Sequence, residues 1–295
     1  MPARPLPRCR RRGRRLSDAL FVAATALCAV VAVGVLVGVV LSILVRGLPA
    51  VSWRFLTEQI ELVGAAGGIF YNLVGTLVLI ATAAVVCAPL AIGIAMAHGV
   101  YLRGERARRA LLLLLYTLNG VPSILFGILG LVVFVKGLGW GKSWLTGGLL
   151  LGMMILPTVT VSLVERIKAL PAKYVEAATG LGLTRSQVAR SVVLPQCAGG
   201  LVTGLLLGLA RAAGETAPIM FTATIFAGAG VPAGVRESPV LSLPYHIFVL
   251  AQDSFDPGVK GKLWGTAAVL LGLVFLLSAA ALPLRLRVHE EACGG

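Results

Sequence analysis

Apolar residues occupy this chain in long blocks, and the polar residues gather between them. The blocks run from Ala19 to Val45, Phe70 to Met96, Ala110 to Val135, Leu145 to Val164 and Gly199 to Phe226, with a sixth ending near Pro283. Each is roughly 20 residues or longer, enough to cross the hydrocarbon core of a bilayer as a helix. In lipid such a segment must satisfy its own backbone hydrogen bonds, which a strand outside a closed barrel cannot do. The pattern therefore predicts an all-α membrane protein with six transmembrane helices. The third block is interrupted by Asn119-Gly120-Val121-Pro122-Ser123, and Gly139-Trp140-Gly141 marks a tight turn after it.

The polar segment Glu165–Pro195 separates the fourth block from the fifth. Pro171 suits the first turn of a short helix over Ala172–Thr179, and Gly180 or Gly182 can end it in a left-handed cap. Thr184 and Gln187 have the spacing of a capping box that opens a second short helix. Leu194-Pro195 is expected to close that helix and turn the chain back toward the membrane. Such a hairpin could be a connector, a DNA-reading helix-turn-helix or a docking element. It is long for a connector, and tethering between spans leaves no third helix for a soluble DNA-binding core. Docking a short helix into a partner's groove is an ordinary recognition mode.

Composition agrees with the pattern. Of 295 residues, 58% are hydrophobic and 13% charged, and the mean hydropathy of +0.93 is far above that of a soluble domain. The net charge of +14 matters through its placement. Residues 1–17 carry seven arginines in a Pro/Arg-rich tail predicted to be disordered. Over alternate loops, 18 Lys and Arg fall on the side of the N-terminus and 7 on the other. The positive-inside rule puts both termini and the large loop in the cytoplasm. The basic excess is then a topology signal, with no nucleic-acid partner implied. The first block is too long for a signal-peptide core, which also argues against a twin-arginine export signal at Arg14-Arg15. Five scattered cysteines without C-x-x-C spacing, and three dispersed histidines, argue against a disulfide framework or a metal centre.

Two charges stand inside the fifth block. Arg211 would lie about 18 Å along a helix starting at Gly199, near the middle of a bilayer. A lone charge there costs roughly 2.5–3.5 kcal/mol on insertion scales. Glu215 follows one turn on, so the two side chains can pair on one face. A pair that only pins helices together would use the same residues. Intramembrane charges more commonly face a cavity or pathway, however, and the guanidinium fork suits an oxyanion, phosphate in particular.

Other signals lead elsewhere. Gly141-Lys142-Ser143 imitates the end of a phosphate-binding P-loop, but the first glycine would fall at Lys136 and the segment joins two spans. No nucleophile–base arrangement marks an enzyme. Gly34/Gly38 and Gly204/Gly208 have the small-xxx-small spacing expected to permit close helix packing.

Glu176-Ala177-Ala178, with Gly182, Val192 and Leu194-Pro195 at fixed distances beyond, resembles the EAA loop of ABC-importer permeases, which usually has Ile where Val192 stands. The resemblance implies a type I ABC-importer permease (MetI-like) fold whose loop is a coupling helix seated in an ATPase subunit. It implies that Glu176, Ala177, Ala178 and Gly182 make that contact, with Leu194 and Pro195 shaping the loop. Ala210-Arg211-Ala212-Ala213-Gly214-Glu215-Thr216-Ala217-Pro218 resembles the fifth-span signature of the phosphate ABC-transporter permease family, PstA. Asn119–Ile124 and Leu243-Pro244-Tyr245-His246-Ile247 are similar to the same family, and the likeness spans roughly residues 68–283.

From that resemblance follow a substrate pathway through Arg211, Glu215, Thr216, Asn119 and Ser123, and phosphate as cargo. It also implies no cofactor on this chain, with ATP and Mg on the partner ATPase. The implied partners are a sister permease (PstC-like), two ATPase copies (PstB-like) and a periplasmic or lipid-anchored phosphate-binding protein (PstS-like), at a bacterial plasma membrane. The chain then divides into a basic cytoplasmic tail (1–18), a first span with its periplasmic connection (19–68), a permease core (69–284) containing the coupling loop (165–198), and a cytoplasmic tail (285–295). Two further readings use part of these features. A permease for phosphonate, molybdate or sulfate would share all of them, whereas an ion-coupled secondary transporter would have no need of the coupling loop.

Overall fold

The computed structural model describes residues 8–293 except 62–65, 103, 226–227, 229–233 and 253–256. Among these, five helices are long and apolar enough to cross a membrane, and a helix pair bent by 90° brings the number to six when it is taken as one span. The first span extends upstream: α1 covers Arg8–Gly47, so the arginine-rich segment from Arg8 is helical where composition predicts disorder. Arginine is a good helix former, and a helix already nucleated in the span lengthens at little cost. The first seven residues of the tail lie outside the described residues.

Helix α1 meets the rest of the chain at its foot. Gly47 lies against the Trp264 backbone and Ala268, and the Arg46 guanidinium sits 5.1 Å over the Trp264 ring. Above this contact Leu20, Phe21, Leu27, Leu36 and Val45 are all exposed, as in a helix whose solvent is lipid. Gly34 and Gly38 face open space, so the close packing their spacing predicts does not occur within this chain.

A short helix α2 (Trp53–Thr57) and a two-stranded antiparallel ladder, pairing Ile60 with Gly67 and Glu61 with Ala66, lead into the core. The ladder is a small departure from the all-helical expectation. The core spans are α3 (Phe70–Met96), the bent pair α4 (Glu105–Asn119) and α5 (Ser123–Gly130), and α6 (Trp144–Ala169). Then come α7 (Ala172–Gly180), α8 (Arg185–Val188), α9 (Leu194–Ala213), α10 (Ala217–Thr222), α11 (Leu243–Gln252) and α12 (Pro257–Cys293).

Helices α3, α6 and α9 form the centre, where Leu79, Ala83, Ile155, Val159 and Leu209 pack into one apolar cluster. On α9, Gly204 sits against Ser162 and Gly208 against Val159, the close approach their spacing predicts. The tightest approach of a helical glycine to another backbone is at Gly75 of α3. A Cβ there would lie 2.0 Å from the Leu241 carbonyl oxygen, a backbone atom that cannot swing aside. Gly75→Ala is expected to destabilise the protein by about 1–3 kcal/mol through overpacking. The thermal unfolding midpoint of the purified protein checks it; an unchanged midpoint would show that the Leu241 segment retreats freely.

Three predicted boundaries move. The fifth block is not one helix through Phe226: α9 stops at Ala213, residues 214–216 break the chain, and α10 restarts with a proline in its first turn. Phe226 itself lies outside the described residues. Leu194-Pro195 does not close a helix either. A π-helical turn, Ala189–Val193, joins α8 to α9 in one 29-residue span, Arg185–Ala213. The widened turn lets the helix run on although Pro195 has no backbone N–H to donate. The last block runs as helix past Pro283 to Cys293. Helix α11 carries the Leu243–Ile247 motif, and burial together with nearby Lys262 pushes the His246 imidazole down to about 4, keeping it neutral.

Candidate translocation site and coupling surface

Two helix breaks lie side by side. Helix α4 ends at Asn119, Pro122 takes an extended conformation, and α5 sets off at 90° from Ser123. The second break separates α9 from α10. Helices α5 and α10 cross at Gly127, which lies against the Ala217 carbonyl, Pro218 and Phe221. Irregular backbone at membrane depth is tolerated only where it is buried in protein or lines a polar cavity.

Arg211 occupies the last turn of α9, where the sequence predicts mid-span, because the helix starts earlier and ends two residues beyond it. The partial negative charge of the helix C-terminus favours a cation there. Its Nε lies 3.6 Å from Glu215 Oε1, an ion pair longer than a hydrogen bond. Its Nη1 donates to Asn119 Oδ1 at 3.3 Å, and Thr158 Oγ1, from α6, donates to the same oxygen at 3.0 Å. Two donors converging on one atom fix the orientation of the Asn119 amide. The arginine side chain is 45% exposed and that of Glu215 only 17%, so the cation faces open space while its counter-ion is tucked beneath.

Arg211, Glu215 and Asn119 are thus one constellation. Ser123 opens α5 and Thr216 precedes α10, but among the described residues neither hydroxyl hydrogen-bonds to it. Thr158 joins the constellation although no sequence feature points to it. Lys142 serves the fold instead. Its Nζ donates to the carbonyls of Met220 and Thr224 at 3.0 and 3.2 Å, tying down the end of α10.

The helical hairpin stands at the other end of α9. Pro171 precedes α7, and Gly182 adopts a left-handed φ of +79°. The N–H groups of Gly182 and Leu183 then reach the carbonyls of Thr179 and Ala178 and close the helix. The capping box between Thr184 and Gln187 is formed. Ala178, 6% exposed, packs with Val188, Ala189 and Val193 over the ends of α3 and α6. Glu176, Ala177 and Gly182 lie on the open surface. Three consecutive helical residues cannot share one face, so Ala178 is the floor beneath any contact surface and not a part of it. Leu194 is half-buried against the same cluster and Pro195 is exposed. Tyr174 and Leu181, 44% and 82% exposed, extend the open surface with apolar area. The signal for Leu181 was a leucine between two glycines in a turn.

Residues 90–287 match the sequence family described as the binding-protein-dependent transport system inner membrane component. The chain belongs to that family. Among curated relatives of this permease, the probable phosphate transport system permease protein PstA of Methanocaldococcus jannaschii is 33% identical over 94% of this chain and 96% of its own length. The phosphate transport system permease protein PstA 2 of Mycobacterium bovis is 31% identical over 90% of this chain and 85% of its own. Among solved structures, an inward-facing MetNI methionine ABC transporter superposes with a TM-score of 0.54 at 17% identity, covering 75% of this permease and 97% of that chain. That likeness shows the fold, which is MetI-like.

Proposed function

We propose that this permease is the transmembrane subunit of an ATP-driven importer that moves inorganic phosphate into the cytoplasm. The observation that carries the reading is Arg211, a half-exposed guanidinium at the meeting of two helix breaks, loosely held by Glu215 and Asn119. A tetrahedral oxyanion can accept from the guanidinium fork in place of the Asn119 oxygen. Glu215 balances the charge while the path is empty and competes with cargo, which keeps binding weak enough for release. Ser123 and Thr216, at the starts of α5 and α10, offer hydroxyls beside the path. The similarity to two named phosphate permeases over most of the chain supports phosphate as the cargo.

The distribution of Lys and Arg supports cytoplasmic termini and a cytoplasmic hairpin. Two ATPase copies supply the energy, one of them receiving the hairpin through Glu176, Ala177 and the turn at Gly182. A sister permease completes the pathway, and a binding protein delivers phosphate from outside. Phosphate-stimulated ATP hydrolysis by the purified complex tests the whole reading. Phosphate-loaded binding protein is expected to raise the rate, and sulfate, molybdate and phosphonate to leave it at the basal level. Stimulation by one of those anions alone would reassign the cargo. Uptake driven by an ion gradient without ATP would replace the reading with secondary transport.

A further inference from the structure

A cavity of about 450 Å³ opens at the hairpin end of the molecule, lined by His98, Glu105, Arg108, Arg109, Ile167 and Lys168 among others. It belongs to the π-helical turn after α3, the start of α4 and the end of α6. Along α4 it lies about 21 Å from Asn119, so it is separate from the Arg211 constellation. Three cations face one acid here, and Glu105 is taken up by an ion pair with Arg109. Arg108 is set in place by its Nε, which donates to the Leu102 carbonyl at 2.8 Å. Among the described residues neither Arg108 nor Lys168 has a carboxylate partner.

His98 forms the inner wall of the cavity. It is 4% exposed, and neither ring nitrogen has a hydrogen-bond partner among the described residues. Both nitrogens are covered, so the ring walls the cavity without presenting its polar atoms to it. Arg108 and Lys168, two cations without carboxylate partners at one cavity, are the donor set for a small multivalent oxyanion.

We propose that this cavity is a second anion site, taking a phosphate-class group through Arg108 and Lys168. The group is either free inorganic phosphate or the phosphodiester headgroup of an anionic lipid, which share this chemistry. The site does not depend on the cargo assigned to Arg211. Ile167 and Leu112 line the cavity and also pack against the cluster that holds Ala178 and Val188 beneath the hairpin. An occupant therefore bears on the surface through which the permease would be driven, and links anion level or lipid composition to transport rate.

The test uses the assembled transporter in phosphatidylcholine nanodiscs, with hydrogen–deuterium exchange followed over residues 98–112 and 160–170. Inorganic phosphate is titrated against chloride at equal ionic strength, and in a separate arm phosphatidylglycerol is added to the discs. Phosphate or phosphatidylglycerol is expected to slow exchange in both segments while chloride does not. Slowing by phosphate in pure phosphatidylcholine identifies the free anion; slowing by phosphatidylglycerol alone identifies the headgroup. Arg108→Gln with Lys168→Gln should raise the concentration needed by about tenfold or more, and Arg108→Lys should recover part of it. Arg211→Gln should leave the protection unchanged, which separates this site from the translocation path. No slowing by either ligand, equal slowing by chloride, or unaltered slowing in the double variant overturns the proposal.

Discussion

Arg211→Gln is expected to lower phosphate uptake by the assembled complex about tenfold to a hundredfold, the loss of one or two hydrogen bonds to a charged group. Assembly should survive, because the guanidinium is half exposed, Asn119 keeps Thr158, and the glutamine amide can still donate to the largely buried Glu215 carboxylate. Arg211→Lys retains the charge and loses the planar fork, so its uptake should fall between wild type and Arg211→Gln. Glu215→Gln removes the counter-ion that competes with cargo. Uptake should then slow several-fold because phosphate leaves the path reluctantly, while binding-protein-stimulated ATP hydrolysis persists. Initial rates of radiolabelled phosphate uptake into proteoliposomes at saturating binding protein measure all three. Normal uptake by both glutamine variants would reduce the pair to a pin between helices.

Much of this architecture is written in the chain, and the parts that are not have physical causes. The spans are legible because lipid demands long apolar runs, and the break after Asn119 is legible because Gly120 and Pro122 are both unsuited to a helix interior. The break at Gly214 is equally rich in signals, with Pro218 four residues on, yet the apolar residues on both sides mask it. Leu194-Pro195 misleads in the opposite direction, since a π-helical turn accommodates the proline inside a continuous helix. The first helix of the Glu176 hairpin is legible to within a residue from its proline and glycines, and the start of the second from its capping box, all of them local devices. Thr158 at Asn119 is a contact across 39 residues, set by how α4 lies on α6, and no local pattern encodes it.

Continuity through Pro195 has a mechanical consequence. The hairpin and Arg211 are the two ends of one helical span, Arg185–Ala213, with no flexible linker between them. Under the proposed function, a displacement at the hairpin would be carried toward the guanidinium by this packed rod, anchored on α6 where Gly204 and Gly208 let the backbones approach. The π-helical turn at Ala189–Val193 is the natural place for that rod to bend, since kinks in long helices commonly fall at such turns.

Two substitutions, two residues apart on α7, should separate driving of the hairpin from its seating. Glu176→Arg reverses a surface charge without touching the packed face, so thermal stability should stay within about 0.5 kcal/mol of wild type. At a docked interface a like-charge mismatch costs several kcal/mol, so uptake should fall by at least about tenfold and stimulation of ATP hydrolysis should be lost with it. Ala178→Asp places a carboxylate at a 6% exposed position among Val188, Ala189 and Val193. An unpaired charge there costs on the order of 3 kcal/mol, which the hairpin avoids by lifting off α3 and α6. Uptake should be lost in this variant as well, but with a lowered unfolding midpoint and faster proteolysis between Pro171 and Thr184. Full uptake by Glu176→Arg would mean that the hairpin transmits no force through this face. A stable, protease-resistant Ala178→Asp protein would mean that the hairpin is not seated as the packing of Ala178 requires.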